Sequence, residues 1–177
     1  NLSDQEMQLI KNSGGVVQVV AFGGYLRPLS QPIQDKLNAL RARFDLPPLP
    51  NLAMALMPGD PIIAAWPEQK FGEYASELYA ILEEEPKASL KDLGDAIDYT
   101  VRKIGIDHVG IASDFNEGGG VKGWNDVSEV RNVTAELLTR GYSEADIAKL
   151  WGGNFLRVWE QVQQSAKPGV PPSEQMP

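Results

Sequence analysis

Asp114 closes the apolar run His108-Val109-Gly110-Ile111-Ala112-Ser113 and stands just ahead of Gly118-Gly119-Gly120. In β/α proteins reactive side chains gather at the C-terminal ends of parallel strands, where Asp114 falls. A carboxylate placed there can take a proton from water and return it to a leaving amine. The competing assignment is a loop cap, with the carboxylate bonded to the amides of Gly118–Gly120. Tyr25 follows a second strand-like run and Gly23-Gly24, so it belongs near the same mouth; ordinary packing is its alternative. His108 is the only histidine of the chain, and it begins the strand. At about 3.3 Å per residue it lies roughly 20 Å from Asp114, at the stabilising end. Asp107 belongs to the turn before the strand, and Asn154, after Gly152-Gly153, reads as a helix N-cap. Trp66 and Trp124 lie in loops that should reach the site face and read as buried anchors. Trp151, Phe155 and Trp159, four residues apart, read as core. Asn132-Val133-Thr134 is formally a glycosylation sequon but falls in a predicted helix and is discounted.

Composition narrows the chemistry further. The 177 residues contain no cysteine and one histidine, which excludes thiolate zinc sites, cysteine nucleophiles and any metal site needing two imidazoles from this chain. A net charge of −8 argues against broad nucleic-acid binding. The chain is 42% hydrophobic, too apolar for disorder, yet it has no apolar run long enough to span a bilayer. It opens on Asn1 rather than Met and shows no signal peptide; the expectation is a chain that begins inside a longer protein.

The elements that must position Asp114 and Tyr25 follow from pattern. Ser3-Asp4-Gln5-Glu6 is a capping box that starts a helix, and Gly14-Gly15 stops it. Val16 to Phe22 is β-branched and apolar on both faces, as a doubly buried parallel strand reads. Ser89 opens a helix whose Leu90, Leu93, Ile97, Val101 and Ile104 form one apolar stripe, ended by Gly105. The strand ending at Asp114 follows, then helices over about 127–140, 143–150 and 154–164. Residues 28–88 form a long excursion: a helix carrying Lys36, Arg41 and Arg43, a proline-rich stretch, and a helix over about 70–85. Residues 167–177 should be a loose tail, and 1–166 one domain. Two strands alone would leave two unpaired edges. The simplest α/β solution is the last part of a β/α barrel whose earlier strands are missing, with a large helical and proline-rich insertion and C-terminal helices.

Gly105 to Phe115 resembles the closing strand of the membrane (renal) dipeptidase family of zinc peptidases. The resemblance continues through Asp126-Val127-Ser128, Ala135-Glu136-Leu137-Leu138, Arg140-Gly141-Tyr142-Ser143 and Gly152 to Val158, and at the start through Asn1 to Asp4 and Gly14 to Val17. It implies that the chain is the C-terminal part, the last two βα units, of a TIM-type eight-stranded β/α barrel with two zinc ions whose ligands all lie upstream of Asn1, so no metal ligand is expected here. It assigns Asp114 to the aspartate that shuttles the proton of the zinc-activated water, and Tyr25 to a tyrosine lining the substrate pocket. Asn116 stands where the family commonly has a second aspartate, a departure that bears on substrate preference or activity. The resemblance further implies a dipeptide-like substrate, the upstream half of the same barrel as partner, and a periplasmic or secreted location. The expected function is therefore zinc-dependent hydrolysis of dipeptides or similar small amides. The rival is a non-catalytic, barrel-derived binding protein whose enlarged loop recruits a partner. The 28–88 insertion reads as a lid or wall over the site, with homodimer contacts as its alternative.

Overall fold

The computed structural model describes residues 1–48 and 61–165, so the expected tail and part of the proline-rich stretch lie outside the described residues. Ser3 caps helix α1 (Asp4–Asn12): its hydroxyl accepts from the Glu6 amide, and its own amide donates to the Glu6 carboxylate at 2.7 Å. The reciprocal pair satisfies two donors that a helix start leaves unpaired. Gly14, at φ +78°, reverses the chain into strand β1 (Val17–Val20). The short helix α2 (Gly23–Leu26) follows β1 directly.

Helix α6 (Leu90–Ile104) starts on a second capping box, Ser89 with Asp92, and ends at Gly105, φ +88°. It leads through a tight turn at Ile106–His108 into strand β2 (Val109–Ala112). The two strands run parallel, with Val17 opposite Val109 and Val20 opposite Ala112. Leu93, Ile97 and Ile104 of α6 are almost wholly buried and form the main core with Val19, Val109 and Leu137. Full burial of side chains this size is worth roughly 1.5–3 kcal/mol each. The strands are shorter than the pattern suggests, and their burial is one-sided: Val109 is inaccessible, whereas Gln18 is exposed. The architecture is mixed α/β and mostly helical, with one two-stranded sheet among the described residues.

After β2 come a turn at Phe115–Glu117, the glycine loop, helix α7 (Val130–Thr139) and helix α8 (Glu144–Ala148). A π-helical turn, Lys149–Gly153, packs on β2 and passes into helix α9 (Asn154–Ser165). Two expectations are corrected here. Asn154 is no N-cap acceptor: it is buried, and its amide nitrogen donates to the carbonyls of Ile106 at 2.6 Å and Val109 at 2.8 Å. Phe155 and Trp159 are not core but 46% and 55% exposed, while Trp151 packs partly buried on the core. Their spacing correctly places them on one helix face. The face that docks is instead the polar one, where Arg157 joins Asn154 by donating to the carbonyls of Gly14 and Asp107.

The excursion between the two units contains α3 (Gln31–Arg43), α4 (Pro61–Ala64) and α5 (Glu68–Glu83). It has its own apolar cluster of Ile33, Leu37, Leu40, Leu46, Tyr74 and Leu78, none shared with the main core. Trp66 belongs to it, stacked near Phe44 and Tyr74 at 5.6 and 5.4 Å. Its base is closed by Glu85, which accepts from the Ser30 hydroxyl at 2.6 Å and the Ser30 amide at 3.1 Å.

Arg140 ties α6 to α7. Its guanidinium meets Glu136 at 2.7 Å, Asp98 at 2.6 Å and Asp95 at 2.9 Å, and it donates to the Lys91 carbonyl. Gly94 makes room for it, because a Cβ there would fall 2.3 Å from the Arg140 Nε. Hydrogen bonds from Lys91 and Arg140 hold the Asp95 carboxyl below its ordinary 3.8. A depressed carboxylate adds stability above its unfolded value, and that increment is lost as pH falls through the folded value. Arg140→Leu is therefore expected to destabilise the fold by about 2–3 kcal/mol at pH 7, because Asp98 and Glu136 lose their cation while Asp95 keeps only Lys91. The deficit should shrink below about pH 4; denaturant titrations at pH 7 and pH 3.5 check both. An unchanged deficit at low pH would contradict the assignment.

Candidate active site at the C-terminal ends of the strands

Asp114 lies two residues beyond β2 in the left-handed conformation, φ 59° and ψ 29°. Aspartate tolerates this region better than most residues, yet a Cβ there still costs roughly 1–2 kcal/mol. Its backbone carbonyl accepts from the amides of Gly119 at 2.7 Å and Glu117 at 3.1 Å. The Gly120 amide instead donates to the carbonyl of Ala21, just past β1, at 2.6 Å. All three bonds end on backbone oxygens, so the Asp114 side chain does not cap the Gly119 and Gly120 amides. The carboxylate has no hydrogen-bond partner among the described residues.

The same loop joins the two strand ends to the root of the insertion. Gly120 pairs with Phe22, and Lys122 pairs with Ser89, its amide donating to Ala88 at 2.8 Å. Below it Trp124 is buried as expected, edge-on to Phe115 at 5.3 Å and to Trp151 at 5.7 Å. Asn116 sits in the turn after Asp114, and among the described residues its amide reaches only the Glu117 carboxylate, at 3.4 Å.

Tyr25, on α2, is 46% exposed, with its ring 4.9 Å from that of Phe22. It lines a cleft of about 250 Å³ together with β1, Met7 and Tyr99; Asp114 does not line that cleft. The two residues thus stand beyond the C-terminal ends of neighbouring strands, on different walls. His108 is at the other end, its Nδ1 2.8 Å from the Gly15 carbonyl, where it joins the turns that precede the strands. Asp107 occupies that turn, paired with Lys149 at 2.7 Å, which holds its carboxyl below the usual range. Trp66 is remote from these residues in sequence and packing, inside the insertion's own cluster.

Among the described residues no three His, Asp or Glu side chains converge as a set that could hold a metal ion. The side chains present therefore do not by themselves fit a zinc centre. What the sequence reading missed is the backbone behind Asp114. The only sequence signal for it is the run of three glycines.

The described residues thus form a mixed α/β chain that holds one carboxylate, Asp114, without a hydrogen-bond partner beyond the C-terminal end of a parallel strand. The profile of the membrane dipeptidase family (peptidase family M19) matches residues 1–170, and the chain belongs to that family. The dipeptidase aclJ of Aspergillus oryzae is 41% identical over 90 residues, covering 50% of this chain and 21% of that protein. The dipeptidase ataJ of Aspergillus terreus is 47% identical over 73 residues, 41% of this chain and 18% of that protein. The crystal structure of the probable dipeptidase PvdM from Pseudomonas aeruginosa superposes with a TM-score of 0.83 at 78% identity, covering 94% of this chain and 42% of that one. The chain spans about a fifth of the curated relatives and under half of the solved chain.

Proposed function

We propose that the protein containing this chain is a zinc-dependent hydrolase of dipeptides or similar small amides, and that this chain supplies the last two units of a β/α barrel. The supporting observation is the Asp114 carboxylate, held unpartnered beyond β2 in a family of dipeptidases. In the reaction water adds to the amide carbonyl, a C–O bond forms, and Asp114 accepts the proton that the water loses. The C–N bond then breaks as Asp114 returns that proton to the departing amine. The metal ligands are supplied by the rest of the protein. Tyr25 serves as a wall of the substrate pocket. The exposed apolar residues Leu2, Leu9, Phe155, Leu156 and Trp159 suit contact with the upstream half of the barrel. The test is turnover of L-alanyl-L-alanine by the zinc-loaded complete protein, against the metal-stripped form. No turnover on this or any dipeptide of a broad panel would sink the reading.

The insertion is part of the same proposal, as a wall over the site. It leaves from the C-terminal end of β1, the catalytic side of a β/α barrel. Connections this long are commonly functional. Because its apolar cluster is separate, replacing residues 29–86 by a glycine-serine linker is expected to leave the remainder folded. KM or substrate range should then change by roughly tenfold, the scale set by a lost contact or two at about 1.4 kcal/mol. Unchanged kinetics with an oligomer turned into a monomer would make the insertion a dimer interface instead.

A further inference from the structure

Gly119 has no space for a side chain. A Cβ built on it falls 2.3 Å from the carbonyl oxygen of Ser113 and 2.6 Å from that of Asp114. Both neighbours are backbone, which cannot swing aside as the tip of a long side chain can. The Gly119 amide also donates to the Asp114 carbonyl at 2.7 Å, and the next amide, Gly120, is fixed to Ala21 at 2.6 Å. Gly119 thus lies flat against the peptide that carries Asp114, and the following residue anchors it to the end of β1. A non-glycine residue in the left-handed region persists where its surroundings over-determine it, and here those surroundings are the glycine loop.

We propose that Gly119 is a positioning residue for Asp114: its missing side chain lets the loop close on the Ser113–Asp114 backbone, holding the left-handed turn that keeps the carboxylate free of the loop amides. This rests on the reading of Asp114 as the proton carrier. A methyl at Gly119 must push the Ser113 and Asp114 carbonyls outward, and the Asp114 Cβ moves with them. Displacement of a reacting group by about 1 Å costs on the order of 100-fold in rate.

The experiment uses the zinc-loaded complete protein with L-alanyl-L-alanine. Gly119→Ala is expected to lower kcat roughly 10- to 100-fold while KM stays within about threefold. If Asp114→Asn retains turnover, the underlying reading has failed and Gly119 has nothing to position. If Asp114→Asn is inactive while folded Gly119→Ala keeps the parental kcat, the positioning role alone is overturned. A raised KM at unchanged kcat overturns it equally. Hydrogen exchange on the parental protein decides the matter if the variant does not fold. The Gly119 and Gly120 amides should then exchange on the order of 100-fold slower than free peptide amides, as closed hydrogen bonds require. Free exchange at Gly119 overturns the inference.

Discussion

Asp114→Asn in the complete protein is expected to abolish dipeptide turnover, with a fall of roughly 10²–10⁴-fold in kcat, the usual loss when a general base is removed. Folding should be nearly untouched, for two structural reasons. Asparagine accepts the left-handed conformation as readily as aspartate, so φ 59° at this position adds no new cost. The bonds that close the loop, from Gly119 and Glu117, end on the Asp114 backbone carbonyl, which the substitution preserves. Thermal melting within a degree or two of the parent, together with lost turnover and unchanged zinc content, is the expected set of results. Near-normal turnover would remove Asp114 from the chemistry altogether. His108→Gln gives the opposite pattern: its ring holds Gly15 at the far end of the strands, so stability should fall more than activity.

Much of this arrangement is legible in the sequence, because the signals are local. The Ser3 and Ser89 capping boxes, the apolar stripe of α6 and the glycine stops at Gly14 and Gly105 each follow from one turn of backbone chemistry, and all are present. The placement of Asp114 beyond a strand and of His108 before it follows from strand direction alone. What escapes the sequence depends on partners distant along the chain. Phe155 and Trp159 share a face by periodicity, but periodicity does not say that Asn154 and Arg157 dock the opposite face on backbone carbonyls. Trp66 sits in a loop that should reach the site, yet Phe44 and Tyr74 draw it into a second core. The left-handed turn at Asp114 is silent because aspartate is among the few residues that tolerate it. The close approach of Gly119 is hidden in a run of glycines whose identity alone suggests only flexibility.

The isolated chain 1–177 is expected neither to retain zinc through dialysis nor to hydrolyse dipeptides, however well it folds. A catalytic zinc takes about three protein ligands, and among the described residues no such group exists. The carboxylates that do cluster are committed elsewhere: Asp95, Asp98 and Glu136 to Arg140, and Asp107 to Lys149. His108, the one imidazole, already spends its Nδ1 on Gly15. Asp114 is free, but a single carboxylate binds a divalent ion too weakly to survive dialysis, and without an activated water it has no proton to take. The exposed faces of α1 and α9, with Leu9, Phe155 and Trp159, should also make the isolated chain associate in a salt-insensitive way, as apolar surface does. Supplying the upstream half in trans should then change three readings together: the association should decline, zinc should be retained, and turnover should appear. Stoichiometric zinc on the isolated chain after dialysis would show that the ligands are within it. Zinc retained by the mixture without turnover would instead separate metal binding from the proton transfer assigned to Asp114.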